Sequence, residues 1–273
     1  MDSITALIKE KARELGFDDC RVASATLEAD DGFDHWLDRG FHADMDWMAR
    51  TREIRQHVHL KVPGARSVIV VAKNYYRPDV RPMPENSKIA RYARQRDYHR
   101  ALSKPLKGLA EYVGACVTGA TCYASTDSGP VRERIWAARA GMGWIGRNGL
   151  VIHPRFGSWF YLATIITDAN LVPDDLLPER CGTCSACLQA CPTGAIVSDR
   201  VVDARRCIAY HTIENRQKIP ETITDNLQGW VFGCDICQEV CPWNRRQDLE
   251  IAPPAETSET FPLLHAASLA SLS

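Results

Sequence analysis

The chain lacks any apolar run approaching the roughly 18 residues that a membrane-crossing helix needs. Its N-terminus lacks the apolar core of a secretory signal, since Lys9, Glu10, Lys11 and Arg13 stand where that core would lie. Net charge is almost absent, at −1 over 273 residues, so no global field calls for a polyanionic partner. No internal repeat occurs, which sets aside solenoids and propellers. With 45% apolar and 25% charged residues, disorder is set aside as well. These absences leave a soluble chain expected in the cytoplasm, long enough for one large or two small domains.

What is abundant is cysteine, with eleven residues. Cys20, Cys116 and Cys122 are scattered and read as small buried apolar side chains. The other eight crowd into residues 181–241. In a reducing compartment such a cluster reads first as a metal site rather than a disulfide framework.

Residues 181–192, CGTCSACLQACP, form C-x2-C-x2-C-x3-C-P, the bacterial ferredoxin run for a [4Fe–4S] cubane. Three closely spaced thiolates wrap one cubane, and the fourth, turned away before Pro192, ligates a second cluster. Residues 231–242, VFGCDICQEVCP, nearly repeat the run, with Val231 where its first cysteine would stand. Cys207, alone upstream, can supply the missing ligand. The expected sets are Cys181, Cys184, Cys187 and Cys241 for one cluster, and Cys191, Cys207, Cys234 and Cys237 for the other. Two zinc-ribbon sites are the simpler alternative, because C-x2-C pairs also bind zinc. Zinc, however, explains neither Cys-Pro ending. Two cubanes this close carry single electrons, so the region reads as an electron wire.

The first 170 residues or so read as a mixed α/β layer. A helix is expected after a capping Ser3, with Ile4, Leu7, Ile8, Ala12 and Leu15 on one face, ending before Gly16. Strands are expected over 67–75, 121–125, 150–154 and 159–167, and helices over 98–117 and 131–140. Residues 171–180, LVPDDLLPER, read as a linker, and the stretch from Ile251 as a loosely held tail. Gly141-Met-Gly143-Trp-Ile-Gly146 satisfies G-x-G-x-x-G, but a helix precedes it and a strand follows, the reverse of the dinucleotide fingerprint. Its glycines are read as allowing a tight turn against a partner or cofactor.

Charge is uneven along the chain. Residues 88–107 hold seven Lys/Arg against one acid, with Tyr92, Tyr98 and His99 among them. Arg132, Arg134, Arg139, Arg147 and Arg155 add a second positive stretch. A solvated face is the bland reading. Aromatics between basic residues point to nucleic acid, through phosphates and base stacking. Asp127, in ASTDSGP, is either a turn-forming aspartate or a proton donor, and spacing does not separate the two.

The stretches RYARQRDYH (91–99), TDSGPVRERIWAARAGMGWIGRNGLVIHPRFGSWFYL (126–162), CGTCSACLQACPTGAI (181–196), CIAYHTIE (207–214) and GCDICQEVCPWN (233–244) resemble the epoxyqueuosine reductases. They run in that family's order across nearly the whole chain. The resemblance implies an α/β fold: an N-terminal cobalamin-binding domain over 1–170, nitroreductase-like as in reductive dehalogenases, followed by a ferredoxin-like module with two [4Fe–4S] clusters over 171–250, and a tail over 251–273. It implies reduction of epoxyqueuosine to queuosine at the tRNA wobble position, the last step of queuosine biosynthesis. The implied partners are a tRNA anticodon stem-loop and an external low-potential electron donor of flavodoxin or ferredoxin type, with the enzyme acting as a monomer.

In the family, the aspartate matching Asp127 is the proton donor, kept protonated on this reading by a low-dielectric pocket. Positions matching Arg55, Tyr92, Asp127, Val151 and Ala209 line the corrinoid. No D-x-H-x-x-G segment occurs, and Asp97-Tyr98-His99 comes nearest, so cobalamin is expected base-off with no histidine as lower ligand. Electrons are expected to bring cobalt to Co(I). Two departures stand out. Relatives often read C-I-S-Y-L-T where this chain has Cys207-Ile208-Ala209-Tyr210-His211-Thr212, which removes a hydroxyl and adds a titratable histidine. Relatives also continue past the cluster module, while this sequence stops at Ser273, so that either it is a short form or its end is missing, and a weaker hold on tRNA is expected. A corrinoid reductive dehalogenase and a ferredoxin-like carrier are the alternatives.

Overall fold

A computed structural model of the chain describes residues 2–26, 32–78, 87–246 and 248–252. Beyond Ala252 the expected tail lies outside the described residues. At the centre is a four-stranded antiparallel sheet in the order β1 (Asp19–Ser24), β2 (Ser67–Asn74), β7 (Phe160–Thr167), β4 (Cys122–Ser125). Strand β2 pairs with β7 over its whole length, from Ser67 opposite Thr167 to Asn74 opposite Phe160.

The alternation of strand side chains decides the two cores. On one face Ile69, Val71, Ala163 and Ile165 meet α1 (Asp2–Glu14) and α5 (Tyr98–Cys116) through Ile8, Ala12, Leu106 and Leu109. On the other, Val68, Val70, Ala72 and Ile166 meet Trp136 and Ala137 of α6 (Glu133–Arg139). Because both faces are covered, β2 is a continuous apolar run instead of an alternating one. Each aliphatic side chain buried here contributes about 1.5–3 kcal/mol.

The expected α1 face is largely the observed one, but Leu7 is 45% exposed, and Ser3 lies inside a helix that already includes Asp2. Gly16 ends the turn after α1 with φ 89, a left-handed conformation that glycine adopts at little cost. The strand expected over 150–154 shortens to β6 (Val151–Ile152), paired with β5 (Trp144–Ile145). Short helices α2 (Phe33–Asp38), α3 (Asp46–Arg50) and α4 (Arg52–Gln56) connect β1 to β2.

The glycines of the G-x-G-x-x-G run admit the chain's own segments. A Cβ on Gly141 would strike the Asp175 carbonyl, one on Gly143 the Ile152 carbonyl, and one on Gly146 the Ile152 side chain. The tight approach at these glycines is made by the protein's own backbone and side chains, and Gly143 also lines a large cavity. The extended stretch after β7 is strapped to β1: the Val22 N–H donates to Asp174 at 2.8 Å, and the Asp174 N–H donates to the Val22 carbonyl at 2.8 Å.

The C-terminal part folds from α7 (Ala186–Ala190), the β8 (Ile196–Ser198) and β9 (Val201–Val202) hairpin, α8 (Ile208–Ile213), α9 (Glu221–Thr224), β10 (Trp230–Phe232) and α10 (Ile236–Glu239). It is sewn to the first part at several points. Strand β3 (Lys88–Ile89) pairs in parallel with β10, the Trp36 indole donates to the Val202 carbonyl at 2.7 Å, and the Arg91 N–H donates to Asp235 at 2.7 Å.

Candidate active site and cluster centres

The eight clustered cysteines come together in two groups of four. Cys241 faces Cys181 and Cys184, and Cys187 faces Cys241 and Cys181; burial first, and then the neighbouring sulfurs, push the Cys187 and Cys241 thiols up. In the second group Cys207 faces Cys191, and Cys234 faces Cys207 and Cys191. Burial pushes Cys234 up to about 12, and burial also raises Cys237, which faces all three, well above its ordinary value. Buried thiols so grouped ionise only when a metal holds them as thiolates. The sulfurs that act on each of these thiols belong to the set expected with it, except that Cys237 also senses Cys187 of the other set.

Among the described residues no three His, Cys, Asp or Glu side chains close tightly enough to chelate a single ion. The first group instead rings a cavity of about 150 Å³, walled also by Ile152, Pro242 and Trp243. The buried indole N–H of Trp144 has no hydrogen-bond partner within normal reach, and its ring packs in the same cluster as Cys181 and Cys241. A sulfur-rich cluster fits both the cavity and the unsatisfied donor.

The second group opens onto a far larger cavity of about 2720 Å³. That is several times the roughly 300–1,000 Å³ of a site for a drug-sized ligand. Its walls come from both parts of the chain, including Arg55, Tyr92, Asp127, Ala209, Cys207 and Cys234. Four of the five expected corrinoid positions therefore share one cavity. Val151 does not line it, because its side chain is 4% exposed in the core beneath the hairpin, and Gly149 and Leu150 stand at the wall instead.

Asp127 follows β4 with φ 57, a left-handed conformation costly for a residue with a Cβ. Its carboxylate accepts the Tyr98 hydroxyl at 2.7 Å, and His99 Nε2 stands 3.6 Å away. Asp97 caps α5 by accepting the His99 N–H at 3.0 Å and also meets His99 Nδ1 at 2.9 Å. The Asp97-Tyr98-His99 segment thus serves Asp127, and His99 is taken.

The expectation that Asp127 sits in a low dielectric is not met, since its side chain is 66% exposed to the cavity. The carboxyl that burial acts on is Glu133, pushed up to about 7 by desolvation, with the Asp127 charge adding to it. Burial and then the Asp127 charge also push the Tyr98 phenol well up, which keeps it a donor. Arg55 donates to Thr51 at 2.8 Å and to the Val131 carbonyl at 3.3 Å, beside Asp127 and Glu133.

Two sequence expectations about basic and titratable residues change. Tyr92 and Tyr98 are not free platforms for bases; they pack edge to face at 6.3 Å and line the cavity, and Tyr98 stacks on Tyr161 at 4.7 Å. Arg134 and Arg147 donate to the carbonyls of Gly149 and Gly182, and Arg155 to that of Asp18, so part of the second positive stretch is spent inside the molecule. Arg96, Arg100, Lys104 and Lys107 remain exposed. His211 is 7% exposed, with Nε2 2.8 Å from the Arg205 carbonyl, and points away from the cavity as a satisfied core residue.

Comparisons with known proteins decide the family. The family model "Epoxyqueuosine reductase QueG, DUF1730" matches residues 55–128, and "4Fe-4S double cluster binding domain" matches residues 180–244. The epoxyqueuosine reductase of Synechocystis sp. is 48% identical over 86% of this chain and 80% of its own length. The chain belongs to the epoxyqueuosine reductase family. A crystal structure of an epoxyqueuosine reductase with a tRNA-Tyr epoxyqueuosine-modified tRNA stem loop is 27% identical, with a TM-score of 0.82 over 92% of this chain and 68% of the other. The reductive dehalogenase NpRdhA shares the fold at a TM-score of 0.50, with 15% identity over 89% of this chain and 32% of its own. No helix among the described residues is long and apolar enough to cross a membrane.

Proposed function

We infer that this chain is an oxidoreductase that converts epoxyqueuosine to queuosine in tRNA. The reaction takes one epoxide, two electrons and two protons to an alkene and water. One observation carries the reading: a single large cavity is walled by the second cysteine group on one side and by Asp127 on another. Bound in this chain, two [4Fe–4S] clusters supply single electrons and cobalamin supplies reducing power at the epoxide carbon–oxygen bond.

The residues divide the work. Cys181, Cys184, Cys187 and Cys241 would hold the cluster nearer the surface, where exposed Cys184 leaves it within reach of an electron donor. Cys191, Cys207, Cys234 and Cys237 hold the cluster that faces the cavity. Arg55, Tyr92 and Ala209 contact the corrinoid, and Val151 contributes by holding its hairpin in place. His99, engaged by Asp97, is not free to hold the corrinoid. Asp127 delivers a proton to the leaving oxygen, so that a hydroxyl departs instead of an alkoxide. Tyr98 orients the Asp127 carboxylate. We further propose that the cobalamin-binding part ends near residue 170, that an anticodon stem-loop docks on the exposed basic residues around α5, and that a flavodoxin- or ferredoxin-type donor serves a cytoplasmic monomer.

Anaerobic turnover tests this. The protein, with cobalamin and a chemical reductant, receives a stem-loop RNA carrying epoxyqueuosine, and nucleosides are read by mass spectrometry. Loss of one oxygen mass is expected. No conversion with both clusters reducible and cobalamin bound would overturn the substrate.

A further inference from the structure

Asp127 is held by three contacts of different kinds. Its carboxylate meets Tyr98 and His99, as described. Its own backbone N–H donates to Glu133 Oε1 at 3.1 Å, across the turn that joins β4 to α6. The turn is tight: the Ser128 N–H reaches back to the Thr126 carbonyl at 2.6 Å, and Gly129 sits so close to Ser125 and Tyr123 that a Cβ there would strike both side chains.

Asp127 at φ 57 is in a conformation that costs a non-glycine residue on the order of 1–3 kcal/mol, and such strain persists only where surroundings fix it. Glu133 is placed to do the fixing. It lies in the first turn of α6, anchored by buried Trp136 and Ala137, and lines the same cavity as Asp127. Among the described residues, its carboxylate alone grips the Asp127 backbone instead of the Asp127 carboxylate.

We propose that Glu133 is a positioning residue that latches the Asp127 turn, holding the Asp127 carboxylate at Tyr98 and pointed into the cavity. The inference rests on Asp127 being the proton donor. What Glu133 contributes is an acceptor oxygen at a fixed reach, not a transferred proton. The side chain of Gln keeps that oxygen and that reach. Leu removes the oxygen, and Asp falls one methylene short.

Three variants and two readouts test the latch. In single-turnover reduction of an epoxyqueuosine stem-loop, Glu133→Leu and Glu133→Asp are expected to lose about 10- to 100-fold in rate, the worth of one hydrogen bond to a charged group. Glu133→Gln is expected to stay within about threefold of wild type. Crystal structures of Glu133→Asp and Glu133→Gln give the second readout, which needs no turnover. Asp127 should leave Tyr98 in the first and keep the 2.7 Å contact in the second. An Asp127 turn that stays in place in Glu133→Asp overturns the latch, as does a Glu133→Gln enzyme as slow as Glu133→Asp, which would mean a proton passes through Glu133. Full activity of Asp127→Asn overturns instead the proton-donor reading, whatever the crystals of the Glu133 variants show.

Discussion

His153 Nε2 stands 3.1 Å from the Asp19 carboxylate, and both groups are withdrawn from solvent where β1 meets the loop after β6. Burial by itself would raise the Asp19 carboxyl; the His153 hydrogen bond and the Arg21 charge outweigh it and hold the group at about 2. His153, stacked on Phe156 at 4.1 Å, is pushed down by burial. Because the Asp19 carboxyl is depressed in the native state, its stabilisation is present above the ordinary value of 3.8 and is lost as pH falls toward about 2. Asp19→Asn should cost about 2 kcal/mol at neutral pH and flatten the acid limb of the stability curve. Urea midpoints between pH 2 and pH 7 check both, and an unchanged acid limb would show that the pair does not couple to folding.

Glu133 gives the opposite sign. Its carboxyl is raised from 4.5 to about 7, so the native state binds more protons than the unfolded chain within that window. Stability should therefore fall as pH rises from 4.5 to about 7 and level off above. Glu133→Gln should remove that slope. Thermal midpoints of the cluster-loaded protein across this range measure it.

Asp127→Asn keeps the shape of the side chain and its Tyr98 contact but has no proton to give. Iron content and corrinoid binding should match wild type, while turnover falls about 10²- to 10⁴-fold. Wild-type turnover in this variant would remove Asp127 from the chemistry.

Cys207→Ala tests the ligand sets. Cys207 faces Cys191 and Cys234 at the cavity wall, so its loss should remove that cluster alone and lower iron to about half. The other group, ringed around its own small cavity, should keep its electron paramagnetic resonance signal when reduced. Unchanged iron would mean that the fourth ligand is another residue.

How far the sequence discloses this molecule depends on how local each feature is. The two cysteine runs are legible because ligand spacing is written along the chain, and even the lone Cys207 follows from a count of four per cluster. Strands β2 and β7 are legible from apolar runs with β-branched residues. Strand β1, DCRVAS, is too short and too mixed in composition to announce itself, and only pairing with β2 makes it a strand. The cavity is not legible at all, since it forms only when α8 and β10 close over residues from the first part. Tyr98 and His99 were visible, but as members of a basic run, and their meeting with Asp127 crosses 29 and 28 positions. Glu133 carried one faint signal, an acid in the first turn of a helix, where the helix dipole favours negative charge.

The junction between the two parts makes the last prediction. Ser158 donates its hydroxyl to Gln238 at 2.9 Å and its N–H to Asn244 at 2.7 Å, while the Asn244 amide returns a bond to the Ser158 hydroxyl at 2.8 Å. All three residues are buried, so each bond broken leaves a polar group without water. Gly157, at φ 58, lets the backbone approach so closely that a Cβ would strike the Asn244 amide. Gly157→Ala therefore combines a left-handed strain with displacement of Asn244, and should cost about 2–4 kcal/mol. Asn244→Ala should cost about 1–3 kcal/mol by stranding the Ser158 N–H. Because Asn244 follows Cys241 directly through Pro242 and Trp243, the damage should fall on the surface-side cluster as well as on the junction. Both variants are expected to lose that cluster's signal at lower temperature than wild type, and because Gln238 follows Cys237 directly, the cavity-side cluster's signal should fall with it. Loss of both signals at one unchanged temperature would show that the junction and the cluster fold independently.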